Sequence, residues 1–232
     1  MTPTDQPAAD APDLQWRGGL VPVSTRFADP YFSLQGGLAE SRHVFLAGNG
    51  LPQRLTPGFH IAELGFGTGL NMLAVLIARA GEPFPPPIRY TAFEAFPLPA
   101  HDIARALSLF PEAAEAAQAF LSHWAAGRTR FDLDGMAVEV HLGDARATLP
   151  AWDGIADAWF LDGFAPARNP ELWSDDLMGS VARHTAPGGT FATYSAAGAV
   201  RASLARHFEV TRLPGFATKR HMTAGVLKDA PA

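Results

Sequence analysis

Ile61-Ala-Glu-Leu-Gly-Phe-Gly-Thr-Gly-Leu-Asn71 decides the fold of this chain. Apolar Phe59, Ile61 and Leu64 lead up to three alternating glycines, Gly65, Gly67 and Gly69, and the helix-like run 70–79 follows at once. The pattern predicts a buried strand over 60–64, a tight glycine turn and a helix N-terminus. An α/β sheet uses this device to bring backbone N–H groups close to a nucleotide-like ligand. The spacing narrows the ligand. A dinucleotide fingerprint reads G-x-G-x-x-G, whereas here the third glycine arrives one residue early, as E-x-G-x-G-x-G. The competing reading is a plain strand-to-helix turn with glycines for tight packing.

Outward from that turn, strands and helices alternate. Strands are expected over 88–94, 137–142, 156–161 and 190–194, and helices over 99–109, 112–124, 171–184 and 198–207. Asp134-Gly135 between alternating apolar residues predicts a hairpin whose second arm is the third strand. The proline-rich stretch 82–87 must be an exposed loop. Residues 37–46 read as a short amphipathic helix. The last two strands, 208–213 and 221–227, have no helix between them and should pair antiparallel. The expectation is therefore an α/β fold with a mostly parallel seven-stranded sheet, helices on both faces and a C-terminal antiparallel hairpin.

Composition bounds the function. The chain has 232 residues, 47% of them hydrophobic, which suits one globular domain with a single core. No apolar run reaches the roughly 18 to 20 residues of a membrane span. The polar, proline-rich start lacks the marks of a secretory signal. With no cysteine, disulfides, thiol nucleophiles and thiolate metal sites are excluded. The histidines show no paired-ligand spacing, so no metal is expected. The formal net charge of −5 argues mildly against nucleic acid, but seven of the 18 Lys and Arg fall within residues 183–232, beside two of the 23 acids. That cluster reads either as a local phosphate-binding face or as solvated surface.

The E-x-G-x-G-x-G form resembles the first motif of S-adenosylmethionine-dependent methyltransferases. Four acids fall at predicted strand ends: Glu63, Glu94, Asp144 and Asp162. Glu94 suits ribose hydroxyls; the alternative is an exposed strand-end carboxylate. Asp144 suits the exocyclic amine of adenine or, equally, a cap on the next turn. Asp162 ends the central strand beside the place of a sulfonium methyl, where a carboxylate balances the positive sulfur and orients or deprotonates an attacking amine; the alternative is a cap on the turn over 163–166. Tyr31, Phe32, Phe66, Phe93, Phe96, Phe164 and Trp173 cluster near this pocket as core residues or as stacking partners for a base.

Several segments carry a closer resemblance: Phe27-Ala-Asp-Pro-Tyr-Phe-Ser33, Gly37-Leu-Ala-Glu-Ser-Arg-His-Val-Phe-Leu46, the glycine motif, Asp157-Ala-Trp-Phe-Leu-Asp-Gly-Phe-Ala-Pro-Ala-Arg-Asn-Pro-Glu-Leu-Trp173, Pro187-Gly-Gly-Thr-Phe-Ala-Thr-Tyr-Ser195 and Pro214-Gly-Phe-Ala-Thr-Lys-Arg220. Together they resemble the tRNA 5-methylaminomethyl-2-thiouridine methyltransferases (MnmD, or the methyltransferase half of bifunctional MnmC) over residues 24–227. The resemblance implies a class I, Rossmann-like methyltransferase fold. It implies methylation, from S-adenosyl-L-methionine, of the aminomethyl nitrogen of 5-aminomethyl-(2-thio)uridine at the tRNA wobble position in the cytoplasm, with S-adenosyl-L-homocysteine as product. Cofactor contacts are then expected from Glu63, Gly65, Phe66, Gly67, Thr68, Gly69, Asn71, Glu94, Asp144, Ala145 and Asp162, with Asp162 catalytic. Substrate contacts are expected from Tyr31, Phe164, Lys219 and Arg220, the last two on tRNA phosphates. His221 stands where the family pattern leads us to expect an acid.

The implied organisation is a disordered tail over 1–13 and one methyltransferase domain over 14–232, in which residues 14–57 form an extension packing over the cofactor site. No FAD and no FAD-dependent oxidase domain are expected in this chain, and a separate or detached oxidase domain is the implied partner beside tRNA. The alternatives are a class I methyltransferase for another amine, on a protein or small molecule, and a Rossmann-type oxidoreductase.

Overall fold

The computed structural model describes residues 12–34, 36–81 and 85–229. Most of the expected tail and residues 82–84 of the expected loop lie outside the described residues. Among the described residues, no helix is long and apolar enough to cross a membrane.

The chain opens with a small antiparallel sheet, β1 (Leu14–Arg17), β2 (Val21–Ser24) and β3 (Asp29–Pro30), and then α1 (Gly37–Ser41), which runs on as a π-helical stretch, Arg42–Ala47. The main sheet and its helices follow: β4 (His60–Leu64), α2 (Leu70–Arg79), β5 (Ile88–Glu94), α3 (Ala100–Leu107), α4 (Ala114–Ala125), β6 (Arg130–Leu133), β7 (Met136–Leu142), α5 (Ala145–Thr148), β8 (Ala156–Leu161), α6 (Asp175–Arg183), β9 (Thr185–Thr193), α7 (Gly198–Leu204), β10 (Phe208–Pro214) and β11 (His221–Leu227). Short 3-10 turns at Pro111–Ala113 and Pro170–Trp173 precede α4 and α6.

The main sheet has the order β10-β11-β9-β8-β4-β5-β7-β6. Strands β4, β5, β7, β8 and β9 run parallel, and β6, β10 and β11 pair antiparallel. Eight strands stand where seven were expected, because the first arm of the Asp134-Gly135 hairpin also joins the sheet at its edge. The expected 171–184 helix is split: Ser174 sits between the 3-10 turn and α6, and its hydroxyl accepts the Leu177 N–H, so it caps α6. The strand expected at 190 begins at Thr185. Between the partners Ala156↔Thr185 and Ala158↔Thr190 the register shifts at a bulge, and that detour accommodates Pro187, which could not donate to the ladder.

Strand alternation distributes the core. Ile61, Tyr90 and Phe160 pack on the α2 face of the sheet, and Ala62, Leu64, Phe93 and Trp159 on the other. Successive residues point to opposite faces, so Glu63, Glu94 and Asp162 fall on the same face as Ile61, Ala92 and Phe160. Chain order reverses at β4: β5 lies to one side of it and β8 to the other. A ligand is expected beyond the C-terminal ends of strands at such a switch point.

His60 begins β4 almost wholly buried. Its Nδ1 lies 2.9 Å from the Ile155 carbonyl, which can only accept, so Nδ1 carries the proton; Nε2 lies 2.8 Å from the Thr91 hydroxyl and accepts from it. Burial, then Arg89, lower its pKa to about 4. Between the ordinary value and 4 the unfolded chain binds more protons than the folded one. His60 therefore contributes stability that is complete above pH ~6.5 and lost as the pH falls towards 4, on the order of 2–3 kcal/mol. Unfolding midpoints of wild type and His60→Gln should converge over that window; a constant gap would mean that the ring does not titrate on unfolding.

Candidate active site

A cavity of about 920 Å³ opens at the C-terminal ends of β4, β5 and β8, large enough for a nucleoside-sized ligand and a second reactant together. The glycine turn forms one wall, the 162–172 loop a second, and the small N-terminal sheet with α1 the roof. The roof is tied down. Asp29 Oδ2 accepts the Ala165 N–H at 2.8 Å, and Phe27 stacks on Phe164 with ring centroids 4.7 Å apart.

The turn is built as its spacing requires. Gly65, Gly67 and Gly69 all have positive φ (87°, 54° and 74°), where a side chain is strained. Glu94, at the end of β5, holds the turn in place. Its Oε2 accepts the Gly67 N–H at 2.8 Å and its Oε1 the Phe96 N–H at 2.7 Å. Burial raises its pKa against these backbone bonds. The Phe66 and Ala95 N–H groups also face this carboxylate, which lines the cavity.

Asp144 caps α5 through the Arg146 N–H at 2.9 Å and clamps the Arg146 guanidinium, with its shortest contact at 2.6 Å. The Arg146 hydrogen bond is the main cause of its lowered pKa. The cap reading of Asp144 is thus present in the fold, and Asp144, Ala145 and Arg146 still line the cavity.

At the base lies a polar chain. Asn71 Nδ2 donates to Glu63 Oε1 at 2.7 Å and to Asp162 Oδ2 at 2.6 Å, and the Tyr90 hydroxyl lies 2.8 Å from Glu63 Oε2. Glu63 and Tyr90 are wholly buried. Burial raises the Glu63 pKa well above the ordinary range, and the nearby Asp162 adds to it. Asp162 is raised to about 7, chiefly by desolvation; Glu40 and Asp29 push it up, and Asn71 and Lys219 hold it down.

Lys219 reaches in from the loop before β11. Its ammonium is 2.7 Å from Glu40 Oε1 and 4.2 Å from the centre of the Tyr194 ring. The Tyr194 hydroxyl donates to the Gly163 carbonyl at 2.6 Å, next to Asp162.

Of the residues singled out from sequence, Gly65, Phe66, Gly67, Thr68, Asn71, Glu94, Asp144, Ala145 and Asp162 line this cavity, as do Tyr31, Phe164 and Lys219. Glu63 lies behind Asn71, Gly69 is the N-cap of α2, and Arg220 is exposed on the surface; none of these three lines the cavity. Of the named aromatics, Trp173 is also outside it, with its indole N–H donating to the Phe164 carbonyl at 2.9 Å. Sequence reasoning missed roles for Asp29, Glu40, Tyr90 and Tyr194. Asp29, Glu40 and Tyr194 sit inside the quoted family segments, which is the available signal; Tyr90 lies in β5, where alternation marks it as core.

The chain belongs to the family of S-adenosyl-L-methionine-dependent methyltransferases, whose pattern matches residues 111–228. Over 229 residues, 95% of its length, it is 46% identical to the tRNA 5-methylaminomethyl-2-thiouridine biosynthesis bifunctional protein MnmC of Caulobacter vibrioides. It is 44% identical over 231 residues to the protein of that name in Ectopseudomonas mendocina. It spans 38% and 35% of those two proteins. The crystal structure of MnmC2 from Aquifex aeolicus matches 97% of this chain with a TM-score of 0.76, covering 72% of that chain at 24% identity. The fold is thus that of class I methyltransferases.

Proposed function

We propose that this chain methylates the aminomethyl nitrogen of 5-aminomethyl-(2-thio)uridine at the tRNA wobble position, using S-adenosyl-L-methionine. One observation carries the reading: Asp162, a carboxylate whose pKa is raised to about 7, lines one cavity together with two differently built sets of residues. One set is backbone amides and acids. The other is aromatic and holds a lysine already paired with a carboxylate.

The first set fits the cofactor. Gly65, Phe66, Gly67 and Thr68 line the cavity at the C-terminal end of β4 with Glu94 beside them, the turn where an α/β sheet receives a nucleotide-like ligand, and Glu94 is the candidate acceptor for ribose hydroxyls. Asp144 and Ala145 border the adenine end, and Gly69 sets the start of α2. Glu63 and Asn71, expected at the cofactor from sequence, support this set from beneath. When bound, the cofactor supplies an electrophilic methyl on a positive sulfur.

Asp162 does the remaining work. An ammonium has no lone pair to attack with, so the nitrogen must be neutral when the N–C bond forms. Asp162 orients that nitrogen and accepts the proton it sheds, while the electrons of the broken C–S bond stay on sulfur, neutralising it. Tyr31 and Phe164 flank the entering uridine, and Lys219 holds the acidic side of the pocket in register. Arg220, exposed outside the cavity, is the candidate for tRNA phosphates. The tRNA substrate makes the cytoplasm the site of action. Because the matched relatives are bifunctional in name and longer, we take this chain as the counterpart of their methyltransferase part, with a flavin-dependent oxidase, in the same or another chain, as partner.

The test is transfer of radiolabelled methyl to tRNA carrying 5-aminomethyluridine at the wobble position, beside the same tRNA unmodified. Label on the aminomethyl tRNA alone is expected. Label on neither, with S-adenosylhomocysteine still bound, would sink the tRNA substrate and leave a methyltransferase for another amine.

A further inference from the structure

Asn71 presents one amide nitrogen between two carboxylates. Both hydrogens of Nδ2 are engaged inside the protein, one on Glu63 at 2.7 Å and one on Asp162 at 2.6 Å. The far oxygen of Glu63 is held by Tyr90 at 2.8 Å. Asn71 is 5% exposed, and Glu63 and Tyr90 are not exposed at all. Neither amide hydrogen is left for a ligand, so only Asn71 Oδ1 could meet one, as an acceptor. Buried polar groups are stabilised only when partnered, and this chain of three partners leads to one place, the carboxylate at the tip of β8.

We propose that Asn71, anchored by the Glu63–Tyr90 pair, is a positioning residue that fixes Oδ2 of Asp162 and leaves Oδ1 as the oxygen that meets the reacting nitrogen. The inference rests on the reading of Asp162 as proton acceptor, and it gives Asn71 a role at Asp162 in place of direct cofactor contact. An aspartate at a strand end rotates about two bonds; a hydrogen bond to one oxygen halves the orientations available to the other.

The bond also sets the charge. Facing Asp162 are Asn71 from α2, Glu63 from β4 with Tyr90 of β5 behind it, Asp29 from β3, Glu40 from α1, Lys219 from the loop before β11 and Tyr194 after β9. Asp29 and Glu40 disfavour its ionised form; Asn71 and Lys219 favour it. Removing the Asn71 donor therefore raises the pH at which Asp162 ionises.

The experiment measures kcat and KM against pH for wild type, Asn71→Leu, Tyr90→Phe and Asp162→Asn, with S-adenosylhomocysteine affinity by calorimetry as the gauge of an intact pocket. Leucine matches asparagine in size and lacks the donor. Asn71→Leu should keep product affinity and the KM for the amine. It should lower kcat about tenfold or more and move the acidic limb of the profile up by about one pH unit. Tyr90→Phe, which loosens the anchor one bond further back, should lower kcat by less. Unchanged kcat and limb in Asn71→Leu, beside an impaired Asp162→Asn, would overturn the inference, as would loss of product affinity, which would make Asn71 a cofactor ligand. Should Asn71→Leu fail to fold, an unchanged kcat in Tyr90→Phe overturns it instead. Full turnover by Asp162→Asn would remove the reading of Asp162, and this inference with it.

Discussion

Gly65→Ala is expected to destabilise the protein by about 3 kcal/mol or more and to abolish binding of S-adenosylhomocysteine. Two separate penalties meet at this position. At φ 87° an L side chain is strained, by about 1 kcal/mol. A Cβ there would also lie 2.1 Å from the Asp162 carbonyl oxygen and 3.1 Å from its carbon, and overpacking of this kind adds about 1–3 kcal/mol. Neither neighbour can retreat. The Gly65 N–H donates to the Phe93 carbonyl and the Asp162 N–H to the Leu64 carbonyl, each at 3.0 Å, so the tips of β4, β5 and β8 are laced together. Relief must come from opening the turn, which would release the Gly67 N–H from Glu94 and move the cavity wall. Gly188→Ala is the internal control: φ is 70° there too, yet nothing lies within 4 Å of the added carbon, so only the strain of about 1 kcal/mol applies. Thermal unfolding of the two variants side by side decides the matter. Equal shifts would mean that the clash at Gly65 is absorbed.

What the sequence made legible follows from where the information sits. His60–Leu64, Leu70–Arg79, Ile88–Glu94 and Ala156–Leu161 are observed with the bounds expected of them, because each is an unbroken apolar or amphipathic run that ends in a glycine, an acid or a proline-rich loop. The alternating order of these runs was enough for the parallel core and the C-terminal hairpin. Strands β1 to β3 escaped notice: they are two to four residues long, carry mixed polarity, and rely on partners far along the chain, such as Arg105, whose guanidinium lies 4.0 Å from the Trp16 ring. β9 escaped in part because Pro187-Gly188-Gly189 reads as a terminator, whereas the sheet takes it up as a bulge. At the site, the strand-end acids were legible since strand ends converge in any sheet of this type. Tyr90 was not: its alternation marks it as core, and only the neighbouring strand supplies the carboxylate that engages its hydroxyl. Nor could adjacent Lys219 and Arg220 be told apart by sequence, for the loop sends one into the cavity and the other to the surface.

Asp162→Asn is expected to leave S-adenosylhomocysteine binding near normal, to lower turnover at least about tenfold, and to make the folded protein more stable above neutral pH. The three effects share one cause. Asparagine keeps the size of the side chain and, turned with its oxygen towards Nδ2 of Asn71, keeps that bond; it cannot take a proton from the substrate nitrogen. In the wild type the folded pKa of Asp162, about 7, lies well above the ordinary carboxylate value of 3.8. The folded state therefore binds the proton more tightly than the unfolded one. Between pH 4 and 7 that difference favours folding, and it is lost as the pH rises through 7, where the charge must be held in a desolvated place at a penalty on the order of a few kcal/mol. Asparagine is never charged, so the variant escapes this penalty, and the excess of its stability over wild type should grow from pH 6 to pH 8. Activity runs the opposite way. The working form is the carboxylate, so wild-type turnover should rise with a midpoint near pH 7, and that limb should vanish in the variant; any limb that survives belongs to the substrate amine. Stabilisation at high pH together with unchanged turnover would place Asp162 in the fold and remove it from the chemistry. A loss of turnover with no gain in stability would keep it in the chemistry, but as a group that ionises well below neutrality.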